Sequence, residues 1–333
     1  MSSVENIFEG ADMNGTHHVR ISNSSVRFDL DLKRNITVVR GNSGTGKTTL
    51  YELVAEHMRL GEKSGVNISC DVHCVALTDM DWKNQLNAVK ASIVFIDEGA
   101  DYVSGEEFAA AIRASDNYYV ILVRENLYLL PYSVKEIYEI KMSGKYHKLV
   151  PMYKERAGCV YGAAGWNKKA DGATVLTEDS GAGHQFFKTY VEGTDIKCET
   201  AAGNSSIYKW LDQHKTDKVV VVADGAAFGA EMDRVMKLQS QYPDNIRVCL
   251  PESFEWMILN SGLIKGDDID EVMADPSDHV DSSKYFSWEQ FFFHYLVQST
   301  ENTPFRYSKR KINEIYLVKN NSARIIAAIS LGL

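Results

Sequence analysis

Hydrophobic and polar positions alternate first near the start of the chain. VRISNSSVRFDLDL reads as a β-hairpin, and NITVVR reads as a buried strand. A glycine-rich turn follows, then helical spacing from Thr48 to Met58. Apolar strands recur at CDVHCVAL, ASIVFIDE and NYYVILVRE, and EEFAAAIRAS between them places Phe108 and Ile112 at helical spacing. Strands alternating with helices predict a parallel sheet covered on both faces. After KLVPMY the periodicity is lost, and residues 154–172, rich in Gly, Ala and Lys, read as a linker. The pattern then restarts. ATVLT, DIKCETA, KVVVVADG and NIRVCLP are strands, and GHQFFKTYVEG, SSIYKWLDQHK and AEMDRVMKLQSQY are the helices between them. From Ser287 the tail, WEQFFFHYLVQS and then SKRKINEIYLV, reads as helical. The expected division is therefore 1–153, a linker at 154–172, a second α/β domain at 173–286 and a helical extension at 287–333.

A composition of 333 residues, 44% hydrophobic and 24% charged, is that of a globular protein. MSSVENIFEGADMNG has neither a basic region nor an apolar run, and no stretch is long enough to span a bilayer, so a cytoplasmic location without membrane contact is expected. The five scattered cysteines do not form a disulfide framework. Cys70, His73 and Cys74 have no second ligand pair at finger spacing and read as part of a buried strand rather than a zinc site. A net charge of −9 argues against coating by nucleic acid, which needs a cation per phosphate. Any nucleic-acid site must be local.

GNSGTGKTT, from Gly41 through Asn42, Ser43, Gly44, Thr45, Gly46, Lys47 and Thr48 to Thr49, fits G-x-x-x-x-G-K-[ST] between a strand and a helix. The glycines let the backbone wrap so that amides and a helix N-terminus face phosphate. Lys47 is expected at the terminal phosphates and Thr48 at Mg²⁺. SIVFIDE then delivers Asp97 to the magnesium and Glu98 to the attacking water. Arg124, at the end of the next strand, is either a γ-phosphate sensor or half of a structural ion pair. The near match NKKA at 167–170 has Ala170 where a guanine reader needs Asp, so ATP is favoured over GTP. A small-molecule kinase would need an arginine-rich lid, and 125–150 offers Lys135, Lys141, Lys145 and Lys148 instead. This half resembles the additional-strand class of P-loop ATPases, without the LSGGQ signature of transporter-type members.

In the second α/β segment, one strand ends in Glu178-Asp179 before Ser-Gly-Ala-Gly, and the central strand ends in Asp224. Carboxyl ends of neighbouring parallel strands converge on one crevice, so these acids are expected to meet there. Three carboxylates together repel unless a hard cation lies among them, and Mg²⁺ or Mn²⁺ suits phosphodiester cleavage. The order strand-Glu-small-Gly, helix, strand-Gly-Asn-Ser, helix, strand-Asp, helix resembles the Toprim domain. The pairing with a P-loop half is similar to OLD-family ATPase-nucleases. The resemblance implies an α/β chain in which a P-loop NTPase parallel sheet precedes a small Toprim-like domain and a helical C-terminal segment. It also implies ATP-controlled nuclease activity on DNA or RNA, a place in phage defence or mobile-element conflict, and a homo-oligomer or a partner protein. By resemblance, Glu255, with Glu252 as runner-up, assists the metal formed on Glu178, Asp179 and Asp224. Lys309-Arg310-Lys311 is expected to bind phosphate backbone or to be a solvated helix face. The family's central strand usually ends in D-x-D, whereas Gly225 and Ala226 follow Asp224 here, leaving Glu231 or Asp233 as replacements. A regulatory protein with a non-cleaving Toprim-like domain stands beside the nuclease reading.

Overall fold

The computed structural model describes residues 13–156, 158–162, 170–266 and 268–329. They form two compact α/β units, one comprising 13–132, 136–152 and 275–286, the other 133–135, 153–274 and 287–329.

The first unit is built on a nine-stranded sheet of order β4-β1-β2-β9-β8-β3-β7-β6-β5. Its strands are β1 (His17–Ser22), β2 (Arg27–Leu32), β3 (Ile36–Arg40), β4 (Asn67–Ser69), β5 (His73–Leu77), β6 (Ser92–Ile96), β7 (Tyr118–Leu122), β8 (Ile137–Ser143) and β9 (Tyr146–Pro151). Every residue of β3, β6 and β7 is buried, as expected of apolar runs covered on both faces. β5 through β8 with β3 run parallel, whereas β1 pairs antiparallel with both β2 and β4, and β9 pairs antiparallel with β8. The sheet is thus mixed rather than wholly parallel. β8 and β9 turn through Gly144-Lys145, where Gly144 has φ +60°, a conformation that a side chain disfavours. CDVHCVAL is only partly a strand: β5 begins at His73 and lies at the sheet edge, with His73 exposed and Cys74 half-buried. Helices α1 (Lys47–Leu60), α2 (Trp82–Ala88) and α3 (Glu106–Arg113) flank the sheet. Leu50 and Val54 of α1 join Phe28, Val39 and Phe95 in one apolar core.

The stretch 275–286 was expected with the second domain but belongs to the first. Its Ser277 carbonyl accepts from the Gly15 amide at 2.7 Å, and its Phe286 carbonyl accepts from Asn35 Nδ2 at 2.7 Å.

The second unit has a six-stranded sheet of order β10-β11-β15-β14-β12-β13. These are β10 (Glu155–Arg156), β11 (Val160–Tyr161), β12 (Thr174–Thr177), β13 (Lys197–Thr200), β14 (Val219–Val222) and β15 (Ile246–Cys249). β12 to β15 run parallel to one another, and β11 pairs antiparallel with β15, with β10 antiparallel to β11 at the edge. The segment read as a linker therefore supplies two short strands of this sheet. The near match at 167–170 lies outside the described residues except for Ala170, which is buried. Helices α4 (Ala182–Tyr190), α5 (Ile207–Gln213) and α6 (Gly229–Gln241) follow the strands as expected, and α7 (Phe254–Asn260) and α8 (Ile269–Ala274) come after β15. The tail is helical in α9 (Trp288–Thr300) and α10 (Lys319–Ala327), but residues 301–313 between them contain no helix. Lys309, Arg310 and Lys311 therefore lie on an irregular segment, not a helix face. No helix among the described residues is long and apolar enough to cross a membrane.

Candidate functional site

In the first unit, β3 runs straight into the glycine-rich segment, where Gly41, Gly44 and Gly46 take φ of +149°, +79° and +88° before α1 begins at Lys47. The tight wrap needs glycine at those points. Asn42, Ser43, Gly44, Thr48 and Thr49 are exposed, and Thr45 is half-buried with its hydroxyl donating to the Asn42 carbonyl at 3.0 Å. Lys47 is only 3% exposed. Its Nζ donates to the carbonyls of Gly41 at 2.5 Å and Asn42 at 3.1 Å, and lies 3.2 Å from Glu98 Oε2.

β7 is the next strand after β6 in sequence but lies between β3 and β6 in the sheet. Arg124, two residues beyond β7, is thereby carried between the loop and the acidic strand end. Its guanidinium donates to Glu98 Oε1 at 2.5 Å and to Ser43 Oγ at 3.0 Å, and Arg40 donates to its carbonyl at 2.9 Å. The Arg124 hydrogen bond, with help from Lys47, holds the Glu98 carboxyl below the usual carboxylate range. Asp97 beside it keeps Oδ1 buried without a hydrogen-bond partner among the described residues. Buried carboxylate oxygens rarely stay unpaired, so this one is suited to a ligand.

In the second unit the chain runs from β12 outward to β13, then returns to place β14 on the other side of β12. That reversal makes the crevice between the carboxyl ends of β12 and β14 the switch point where open parallel sheets bind ligands. Glu178 follows β12 directly, and Asp224 follows β14 after Ala223. The Asp224 amide donates to Glu178 Oε2 at 3.4 Å, and both side chains line one pocket. Asp179, Glu255, Tyr307 and Lys309 line it too.

The acids differ in their surroundings. Asp179 is exposed, and its Oδ1 accepts from the Gly181 amide at 2.8 Å. Glu255, on the first turn of α7, is 2% exposed and accepts from the Tyr307 hydroxyl at 2.7 Å. Burial pushes Glu255 up, against that hydrogen bond. Burial, then the Glu289 charge, push Glu178 up to about 7, and burial with Glu289, Glu178 and Glu255 pushes Asp224 well above its ordinary value. Lys309 Nζ bridges to Glu289 Oε1 at 2.7 Å. Burial opposes the Lys309 charge, but Glu289, Glu255 and Asp224 together raise it above its ordinary range. Lys309 therefore faces carboxylates.

Four sequence-based expectations change here. Among the described residues, no group of three or more His, Cys, Asp or Glu side chains converges to hold a metal ion. Glu178, Asp179 and Asp224 share a pocket, yet Asp179 already commits one carboxylate oxygen, Oδ1, to the Gly181 amide. Glu252 ion-pairs with Lys135 at 3.2 Å and does not line the pocket. Neither Glu231, which pairs with Arg234, nor exposed Asp233 lines it, so neither replaces a missing carboxylate. Ala226, where the second Asp of D-x-D would stand, is 2% exposed and does not line the pocket either. Sequence reasoning missed Glu289, Tyr307 and His184. His184 lines the pocket and its Nδ1 meets Thr177 Oγ1 at 2.8 Å.

Comparison with protein-family models and with curated proteins gave no match.

Proposed function

We propose that the chain binds and hydrolyses ATP in its first unit and that the second unit is a Toprim-like domain whose nucleic-acid cleavage is governed by that nucleotide. The observation that carries the first part is the placement of Glu98 between Lys47 and Arg124, beside a loop with the phosphate-binding sequence. Lys47 and Arg124 supply two positive charges for phosphate, and the ionised Glu98 orients water. Mg²⁺ bound with the nucleotide would be held by Thr48 and Asp97 and would neutralise phosphate charge; the unpaired Asp97 Oδ1 fits that role. Phosphate release assayed with Lys47→Ala and Glu98→Gln tests this. Hydrolysis surviving both substitutions would end the reading.

In the second unit, Glu178 and Asp224, with Asp179 supporting, would hold Mg²⁺ or Mn²⁺, which supplies Lewis acidity toward a phosphodiester. The donor chemistry fits: two half-buried carboxyls with raised affinity for protons are relieved by a cation. Lys309 offers a charge to the phosphate. One observation favours the non-cleaving alternative, in which the domain only recognises a partner: the acids do not form a three-ligand group. Incubation with plasmid or tRNA and Mn²⁺, with Glu178→Ala as control, separates the two. Cleavage abolished by Glu178→Ala supports the nuclease; no cleavage with or without ATP supports the alternative.

A further inference from the structure

The pocket around the glycine-rich loop has a second wall, built by Val26, Met142 and His147. Its residues come from β8, from β9 and from the turn that leads into β2. Phe28 of β2 stands directly opposite His147 of β9, and His147 directly opposite Met142 of β8. Directly opposed residues share a face, so three adjacent strands contribute one residue each to a single row. The rings of Phe28 and His147 stack at 4.7 Å with 25° between planes.

The inner end of the row lies beneath the loop: a Cβ on Gly46 would stand 3.7 Å from both His147 Cδ2 and Phe28 Cζ. The outer end, Met142, is 56% exposed. His147 is 7% exposed, and its Nδ1 is buried without a hydrogen-bond partner among the described residues. The ring is thus fixed as part of a wall and turns its Cδ2 side to the loop.

A nucleoside triphosphate is a linear ligand. Its phosphates belong over residues 43–49, with the terminal one toward Glu98, which lines the same pocket. The wall left for ribose and base is that of Val26, His147 and Met142. A thioether beside an aromatic row suits the face of a heterocycle. We propose that the Phe28–His147–Met142 row is a nucleoside shelf, on which the sugar and base of the bound triphosphate lie against Met142. This rests on the nucleotide-binding reading of the loop and adds a recognition element to it: the site selects nucleoside triphosphates over inorganic polyphosphate.

The test compares dissociation constants of MgATP and magnesium tripolyphosphate for the full chain by titration calorimetry. The shelf predicts that ATP binds about tenfold tighter than tripolyphosphate. Met142→Ser should weaken ATP roughly threefold to tenfold and Met142→Trp should tighten it, while tripolyphosphate stays at its wild-type value in both. Met142 is exposed, so neither substitution threatens folding. Equal affinity of wild type for the two ligands, an ATP affinity indifferent to Met142, or parallel shifts for both ligands would each overturn the shelf while leaving the loop reading intact. Failure of wild type to bind either ligand would instead overturn the loop reading, and the shelf with it.

Discussion

Arg124 donates to Glu98 across 2.5 Å, and that contact ties the end of β7 to the acidic end of β6. Lys47 approaches the other carboxylate oxygen at 3.2 Å, so Glu98 is held ionised between two cations. A carboxylate held below its usual range is a weak proton acceptor but a well-placed acceptor of a water hydrogen bond. Replacing it with glutamine keeps the shape and removes the charge. Glu98→Gln should bind ATP with near wild-type affinity and lose roughly 10²–10⁴-fold in phosphate release. Near wild-type turnover in that variant would remove Glu98 from the chemistry.

Arg124 itself separates two roles left open by the sequence. As a structural ion pair it would matter to stability; as a phosphate sensor it would matter to turnover. The guanidinium is exposed, and exposed ion pairs add little to stability. Arg124→Ala should therefore leave Tm nearly unchanged while slowing hydrolysis at least tenfold, on the scale of charged groups at phosphoryl transfer. A large fall in Tm with turnover preserved would assign it to the scaffold.

The two strand ends carrying Glu178 and Asp224 were legible because apolar runs such as VVVV announce buried parallel strands, and parallel strands end together. The same logic exposed the loop, Asp97 and Glu98. It failed where strands are short or half-exposed. β10 and β11 have two residues each, and β8 buries Ile137 and Ile140 but exposes its last three residues. Nothing local marks those as sheet. Lys309 entered the acidic pocket from the tail by tertiary packing, and Glu289, which Lys309 holds beside that pocket, lies within an aromatic helix with no motif of its own. Asp179, by contrast, precedes Ser-Gly, a sequence in which an Asp side chain ordinarily bonds an amide two residues on, and it does so here.

Burial of Glu178 gives stability a pH dependence. Its folded value of about 7 exceeds the ordinary 4.5, so the folded state keeps the proton longer than the unfolded state does. The contribution is fully present below the ordinary value and is lost as pH rises through about 7. Asp224 shifts in the same direction and adds to the trend. Without divalent ions, stability should fall between mildly acidic and neutral pH, by up to about 3 kcal/mol from Glu178. Glu178→Gln should flatten that slope, and Mn²⁺ should restore stability chiefly at the neutral end. Thermal melts across this range check all three. A slope identical in Glu178→Gln and wild type would place the titration elsewhere.

Gly225 is required by a close backbone approach rather than by its dihedral angles. Its amide donates to the Pro251 carbonyl at 2.6 Å, and its carbonyl accepts from the Val134 amide at 3.0 Å. A Cβ there would stand 2.7 Å from the Leu250 carbonyl oxygen and 2.9 Å from that of Pro251. Both obstacles are backbone beyond β15, so neither can swing aside as a long side chain would. Gly225→Ala should cost about 1–3 kcal/mol, as overpacking of fixed groups does, and lower Tm by several degrees. Because Asp224 precedes it, the displaced β14 end should also move that carboxyl from Glu178, weakening any Mn²⁺-dependent stabilisation more than the fall in Tm alone explains. Titrating Mn²⁺ against Tm in both proteins reads the two effects separately. An alanine variant as stable as wild type would mean that β14 and the segment after β15 are not packed this closely.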